Sequence, residues 1–246
     1  MTTRAGVWLV LSLSVALSVH AAAPLFPRPL HIVRLVEDPI AQTSATLDEY
    51  CAGNRIVTVS GPKVVITDFE TKQLTEIDHA KATWSVTRFD DIAAARRSNV
   101  RSVQSAPAWK STPLGLRGTL DRFEFLDSST AGKRRVEVGI DRRVTLSRDA
   151  VEALIGAAYP NPHSDENDAI LRSAESNGVY GLPSETLITV AAGDLTLTLH
   201  STVVRTGDES VPPDELVIAP GTTRVDSKLV RAARELQALD HPAATH

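Results

Sequence analysis

Short runs of β-branched residues, each ended by turn residues, follow one another between Asn54 and Arg88. The runs lie at residues 54–59, 63–68, 71–78 and 82–88. Ser60-Gly61-Pro62 separates the first two runs, and Asp78-His79-Ala80-Lys81 precedes the last. Runs this short and this closely spaced are typical of neighbouring antiparallel strands. We therefore predict a four-stranded meander in this part of the chain.

The second half of the chain alternates more regularly. Leucines at 195, 197 and 199 alternate with threonines and a histidine, which is the pattern of a strand buried on one face. Residues 180–191 and 194–206 flank Ala192-Gly193 and predict a hairpin. Further strands are predicted at 116–127, 133–140 and 144–146. Phe123 and Phe125 share one face of the first of these, as part of a core or of an apolar groove.

Helical spacing follows Ser147, which is a good N-cap residue. Apolar residues at 151, 154, 155 and 158 lie on one stripe behind it. Three more short helices are predicted at 90–97, 166–177 and 227–239. Residues 98–113 are rich in Ser, Pro and Ala and predict a flexible connector. The fold class predicted is α+β, with an antiparallel sheet covered by short amphipathic helices.

The first 21 residues have the pattern of a secretory signal peptide. Arg4 supplies the positive start, residues 7–19 are apolar, and Val19-His20-Ala21 is a small-x-small cleavage site. The apolar run is shorter than the roughly 20 residues that a membrane span needs, so no transmembrane segment is predicted in the mature chain. Residues 22–246 are predicted to form a single exported domain in the periplasm, with an extracellular location as the alternative.

Charge and cysteine content narrow the range of partners. The formal net charge is −4, and removal of Arg4 with the signal peptide makes it −5. Basic residues occur in small groups close to acidic ones, without a basic stripe, so nucleic acid is not an expected partner. Cys51 is the single cysteine, which excludes an intramolecular disulfide; we predict that it is buried beside a strand.

The sequence contains none of the motifs that usually indicate catalysis or metal binding. Ser184 lies in Gly-Leu-Pro-Ser-Glu rather than in the G-x-S-x-G of a nucleophile elbow. Histidines 31, 163 and 200 lack the spacing of zinc ligands. The acidic segment 163–168 lacks the glycine that a calcium loop needs. The pair Asp78-His79 is typical of a polar turn. We therefore predict no catalytic, cofactor-binding or metal-binding residue, and we predict that the protein is not an enzyme.

Two groups of strand and turn motifs resemble a known family. The first contains Val64-Val65-Ile66-Thr67-Asp68, Leu74-Thr75-Glu76-Ile77-Asp78-His79 and Trp84-Ser85-Val86. The second contains Gly181-Leu182-Pro183, Val211-Pro212-Pro213-Asp214 and Ile218-Ala219-Pro220-Gly221. Their order resembles bacterial envelope domains that are distantly similar to the LolA-like lipoprotein carriers. The resemblance implies a strongly curved sheet, an unclosed β-barrel, whose apolar concave face is covered by helices and in the carriers shelters acyl chains.

These features lead to one main functional hypothesis and two alternatives. The main hypothesis is a non-enzymatic exported domain that binds or senses an apolar or lipid-like ligand. The first alternative is a structural or protein-interaction module of the cell envelope with a filled core and an envelope protein as its partner. The remote alternative is an exported hydrolase, which would need an activated nucleophile beside a base.

Overall fold

Strands dominate the part of the chain that the structure describes. The computed structural model describes residues 23–38, 42–92, 94, 109–127, 133–158, 170–172, 180–192 and 195–227. The strands are β1 (Phe26–Asp38), β2 (Thr43–Gly53), β3 (Arg55–Ser60), β4 (Lys63–Asp68), β5 (Gln73–Asp78), β6 (Thr83–Arg88), β7 (Trp109–Arg117), β8 (Leu120–Asp127), β9 (Lys133–Thr145), β10 (Gly181–Ala192), β11 (Leu195–Gly207) and β12 (Thr223–Arg224). Helix α1 spans Arg148–Ala158, and Pro213–Leu216 form one 3-10 turn.

The twelve strands of the described residues belong to one open sheet. Their order is β12-β6-β5-β4-β3-β2-β1-β11-β10-β9-β8-β7. Every neighbouring pair is antiparallel except β12 and β6, which run parallel over two residues. Strand β1 lies between β2 and β11 and so joins the first half of the chain to the second. Residues distant in sequence meet along this strand.

The local predictions for the meander, the hairpin and one helix are confirmed. Strands β3 to β6 pair in chain order, and β10 pairs with β11 with Ala192 opposite Leu195. The Oγ of Ser147 accepts a hydrogen bond from the N–H of Ala150 at 3.1 Å and so caps α1. These elements follow from signals that act over a few residues, namely alternation, turn residues and caps.

The sheet packs a different layer on each of its two faces. Ile56 on β3 clusters with Ala150 and Leu154 of α1, and we call this side the helix face. Its chain neighbour Val57 clusters with Val211 and Leu216, beyond the end of β11. Successive strand residues point to opposite faces, so these two clusters lie on opposite sides of the sheet. We call the second side the strap face.

The strap is the segment 208–222, which follows β11. It begins beside β11 and ends beside β6, where the N–H of Thr223 donates to the carbonyl of Ala82 at 2.9 Å. Six strand-to-strand steps separate β11 from β6 in the sheet order, about 29 Å at the usual spacing of neighbouring strands. The strap therefore crosses most of one half of the sheet.

The prediction of an α+β fold covered by several short helices is wrong. In the described ranges, α1 is the sole helix longer than a few residues, and on the strap face the irregular strap packs on strands β3 to β6. Residues 89–92 and 170–172 are helical, but the remaining parts of the predicted helices 166–177 and 227–239 lie almost wholly outside the described residues. Strand content was underestimated because β1, β2 and the first half of β7 lack clean alternation.

Two other predicted segments are only partly covered by the structure. The predicted signal peptide, residues 1–21, lies outside the described residues. So do residues 98–108 of the predicted connector, whereas residues 109–113 belong to β7. The β7–β8 pairing shifts register between Pro113 and Gly115, where proline lacks a ladder N–H. No described helix has the length and apolar character that crossing a bilayer requires.

Candidate functional site

A hollow on the strap face lies between the sheet and the start of the strap. Its volume is about 390 Å³. Tyr50 and Val57 line it from the sheet, and Val211 and Leu216 line it from the strap. Polar residues at its rim include Asn54, Arg55, Asp68, Glu70, Glu209 and Ser210. An apolar wall with a charged rim suits a small ligand that has both an apolar and a polar part.

Beside this hollow, the buried imidazole of His31 lies between two carboxylates. Its Nε2 is 2.9 Å from Oδ1 of Asp48, and its Nδ1 is 3.2 Å from Oε2 of Glu209. The His31 side chain is 3% exposed, whereas those of Asp48 and Glu209 are 35% and 47% exposed. The histidine is therefore enclosed, and the carboxylates connect it to solvent.

Arg205 completes this group on β11. Its guanidinium forms a close ion pair with Glu209, and its Nη2 lies 3.4 Å from Nδ1 of His31. The backbone N–H of Glu209 donates to the Glu209 carboxylate, and this hydrogen bond, followed by the one from the Arg205 side chain, lowers the pKa of Glu209 to about 2. Glu209 is consequently an anion at any ordinary pH. We call His31, Asp48, Tyr50, Arg205 and Glu209 the His31 cluster.

A glycine gives Glu209 the space to reach the sheet. A Cβ atom built on Gly207 would overlap the Glu209 carboxylate. Gly207 also pairs directly with His31 in the β1–β11 ladder. The last residue of β11 therefore has to be small for the strap carboxylate to lie over it and contact the imidazole.

Tyr50 connects the His31 cluster to the hollow. It pairs with His31 across β1 and β2, and its ring also lines the hollow. Burial, and then the nearby charge of Asp48, raise the pKa of Tyr50. The phenol is accordingly neutral at physiological pH, and it contributes an apolar ring surface to the ligand side of the cluster.

A second ionic group lies on the helix face of the same strands. The Arg34 Nε and Nη2 atoms are each 3.3 Å from Oε2 of Glu49, and its Nη1 is 3.3 Å from the carbonyl oxygen of Pro183. Both side chains are almost fully buried. Burial, and then the charge of Glu49, raise the pKa of the Cys51 thiol. Cys51 is buried as predicted, and it is not an activated nucleophile.

Another hollow, of about 320 Å³, lies on the strap-face side of β8 to β11. The Glu185 carboxylate lies 3.9 Å from Arg117, 4.0 Å from Arg122 and 3.6 Å from His200. Arg122 forms its closest ion pair, at 2.7 Å, with Glu137. Opposite charges alternate around this hollow, and its ionisable groups neutralise each other.

The remaining residues considered in the sequence have structural roles or lie outside the described chain. The Ser184 hydroxyl donates to the carbonyl oxygen of Leu182 at 3.2 Å and is buried. Asp78 accepts from the N–H of Lys81, as expected of a polar turn. Phe123 and Phe125 pack in a buried core cluster with Val151 and Ile155 of α1 rather than lining a groove. The acidic segment 163–168, which begins with His163, lies outside the described residues.

Sequence reasoning considered His31 but missed its partners. Asp48 is 17 residues away and Glu209 is 178 residues away. No motif links residues at such separations, and they meet because β1 pairs with β2 on one side and with β11 on the other. Across the described ranges, no group of three or more His, Cys, Asp or Glu side chains is arranged to hold a metal ion.

Comparison with known proteins does not place the chain in a family. No family model matches it, and no curated protein sequence matches it. Among solved structures, that of PNGF-II in a C2 crystal form is similar, with a TM-score of 0.38 and 7% sequence identity. The likeness covers 85% of this chain and 32% of that one, so the chain spans about a third of its length. A likeness at this level supports no conclusion about fold or function.

Proposed function

We propose that this protein is a non-enzymatic, exported binding domain that holds an apolar or lipid-like ligand in the hollow beneath the strap. The observation that carries the proposal is the hollow itself, about 390 Å³ and walled by Tyr50, Val57, Val211 and Leu216. Ligand sites in proteins usually have a few hundred cubic ångströms and a mostly apolar lining. A lipid-like ligand is also what the resemblance to LolA-like carriers implies.

The charged rim favours an amphipathic ligand over a pure hydrocarbon. Arg55 pairs with Asp68 at 2.6 Å at the mouth, and Glu70 and Glu209 lie beside them. The apolar part of a ligand would pack on Tyr50, while its polar end would remain at the rim in contact with water. Burial of apolar surface contributes about 25 cal/mol for each Å² removed from water, so this contact would supply most of the affinity.

Binding is favoured over catalysis by the state of the ionisable groups nearest the hollow. Asp68 is tied to Arg55, and Glu209 is tied to Arg205 and His31. The Cys51 thiol, whose pKa is raised, does not supply a thiolate. A general base or nucleophile needs an acceptor that is free to take a proton or attack. The carboxylates of Asp68 and Glu209 are instead occupied in ion pairs with Arg55 and Arg205.

Binding of the neutral fluorescent probe N-phenyl-1-naphthylamine to the purified protein tests the proposal. Ala52 lines the hollow from β2, and Ala52→Trp would fill it; Ala45, exposed on the same strand, gives Ala45→Trp as the matched control. We expect the wild-type protein and Ala45→Trp to bind the probe, and Ala52→Trp to bind at least tenfold more weakly. The absence of probe binding to the wild type, or equal binding by both variants, would overturn the proposal.

One observation favours the alternative of a protein-interaction module in the envelope. Leu116 is 73% exposed and Leu114 is 42% exposed, and both lie on β7, the last strand in the sheet order. Exposed apolar residues on a terminal strand are typical of surfaces that pair with another chain. Crosslinking from a photoreactive residue at position 116 in cells, with position 110 as the control, would identify such a partner or argue against one.

A further inference from the structure

One atom of His31 faces two groups of opposite charge. Its Nδ1 lies 3.2 Å from a carboxylate oxygen of Glu209 on the strap and 3.4 Å from the guanidinium Nη2 of Arg205 on β11. Its other nitrogen, Nε2, is 2.9 Å from the Asp48 carboxylate. The remaining titratable neighbour is Tyr50, which stacks on the ring face. A carboxylate only accepts a hydrogen bond and a guanidinium only donates one, so Nδ1 cannot satisfy both in one state.

The protonation state of His31 therefore selects the partner of Nδ1. A charged imidazolium has an N–H at both nitrogens and donates to Asp48 and to Glu209 at once. The contact of Nε2 with Asp48, at 2.9 Å, is shorter than that of Nδ1 with Glu209, and the Arg205 guanidinium offers a donor to Nδ1, so the neutral imidazole keeps its proton on Nε2 and presents a lone pair at Nδ1. That lone pair repels the Glu209 oxygen and accepts from Arg205 instead. Because the His31 side chain is 3% exposed, water has little access to relieve the conflict.

We propose that His31 is a pH-sensitive latch that holds the start of the strap against the sheet when it is protonated and releases it when it is neutral. The inference rests on the proposed function, because Glu209, Ser210 and Val211 form the strap side of the hollow. Acidic conditions would close the hollow around its ligand, and neutral or alkaline conditions would let the ligand exchange.

The release would be confined to one end of the strap. The Arg205–Glu209 ion pair joins residues only four apart in the chain, so it does not tie the strap to β1 as the contact with His31 does. At the other end, Leu216 packs on buried sheet residues, and the N–H of Val225 donates to the carbonyl of Trp84 at 2.8 Å. Neither of these two contacts involves a titratable side chain. We expect residues 208–211 to loosen while residues 216–225 stay in place.

A second histidine that contacts the strap, His79 in the turn between β5 and β6, supplies a matched control. The Nε2 of His79 lies 3.7 Å from the Glu215 carboxylate, near the far end of the strap. This contact also joins a histidine to a strap carboxylate, but it lies outside the His31 cluster. His79→Gln therefore removes a second contact between a histidine and a strap carboxylate without touching the latch.

Hydrogen–deuterium exchange of the ligand-free protein at pH 5 and pH 8 tests the latch, with rates divided by the intrinsic rate at each pH. Histidine side chains change charge across this interval. We expect wild-type protection of residues 208–211 to fall about tenfold from pH 5 to pH 8. Glu209→Gln should have the low protection at both pH values, and His79→Gln should behave like the wild type.

Any of three results would overturn the latch. The first is equal protection of residues 208–211 at both pH values in the wild type. The second is a pH dependence that persists in Glu209→Gln, and the third is a pH dependence that disappears in His79→Gln. Binding of N-phenyl-1-naphthylamine, which has no titrating group in this range, separates the two proposals. Protection that depends on pH, without probe binding, would support the latch and refute the proposed function. Probe binding, with protection that does not depend on pH, would support the proposed function and refute the latch.

Discussion

The imidazole of His31 lies parallel to the ring of Tyr50, with their centroids 4.2 Å apart and an angle of 7° between the ring planes. The two residues are directly paired across β1 and β2, so the ladder itself sets the stack. Stacking fixes the plane of the imidazole and thereby directs its two nitrogens towards Asp48 and Glu209. Tyr50 is at once the floor of the hollow and the support of the histidine.

Removal of the Tyr50 ring should weaken both the fold and the latch. We expect Tyr50→Leu to lower the free energy of unfolding by about 1–2 kcal/mol, since a stacked pair contributes about 0.5–1.5 kcal/mol beyond its buried area. Protection of residues 208–211 at pH 5 should fall with it. Tyr50→Phe keeps the ring and should change stability by less than about 0.5 kcal/mol. Urea unfolding measures both, and equal losses in the two variants would argue against a role for the stack.

A methyl group at Gly207 should release the strap carboxylate. The added Cβ of Gly207→Ala would displace Glu209 from its place over the strand. We expect strap protection at pH 5 to fall to the level of Glu209→Gln, with the rest of the sheet unchanged. Thr206→Ala, at the exposed preceding residue, is the control and should keep wild-type protection. Wild-type exchange in Gly207→Ala would show that Glu209 does not need that space.

The buried Arg34–Glu49 pair should be costly to break on one side only. We expect Arg34→Met to lower the free energy of unfolding by about 3–5 kcal/mol, because it leaves the buried Glu49 carboxylate without a cation. The double variant Arg34→Met/Glu49→Leu should recover most of this loss.

The pair Arg55–Asp68 provides the exposed counterpart. The Arg55 side chain is 53% exposed, and exposed ion pairs contribute about 0–1 kcal/mol, so Arg55→Met should cost less than 1 kcal/mol. Chemical denaturation measures all three variants. A double variant no more stable than Arg34→Met would contradict the explanation by an uncompensated charge.

Asp141 should stabilise the protein at neutral pH and lose that effect in acid. Hydrogen bonds from the Arg143 side chain are the largest cause that lowers the pKa of Asp141. The folded-state pKa then lies below the unfolded value of about 3.9, so the stabilisation is complete above about pH 4 and disappears as the pH falls through the folded-state pKa. The difference in unfolding free energy between wild type and Asp141→Asn should shrink between pH 6 and pH 3.

Arg143→Met tests the cause of that pH dependence. Without the guanidinium, the pKa of Asp141 should rise back towards its usual value. The pH-dependent part of the Asp141 contribution to the free energy of unfolding should then largely disappear. Urea unfolding at pH 6, 4 and 3 of both single variants gives the comparison. A wild-type advantage over Asp141→Asn that stays constant from pH 6 to pH 3 would refute the assignment.

Some strands gave no local signal because each of their faces carries both apolar and charged residues. On β1, His31 and Arg34 are buried on opposite faces, each with an acidic partner supplied by another strand. The strand also contains Pro27 and Pro29 near its start, and prolines this close together are typical of a loop. Alternation marks a strand when one face is apolar and the other is polar. Where ionic pairs occupy both faces, the pattern disappears although the strand is central to the sheet.

By itself, the sequence determined the elements whose causes are local. The meander β3 to β6, the hairpin β10–β11 and the capped helix α1 all follow from alternation, turn residues or a cap within about a dozen positions. Tertiary structure alone decided which strands meet in the middle of the sheet, and hence that His31, Asp48 and Glu209 form one cluster. The contact of His31 with Glu209 spans 178 residues, and it exists because β1 pairs with β11 and Gly207 leaves room for the strap to turn back. Pairing between distant strands depends on the fit of whole faces, which no short stretch of sequence encodes.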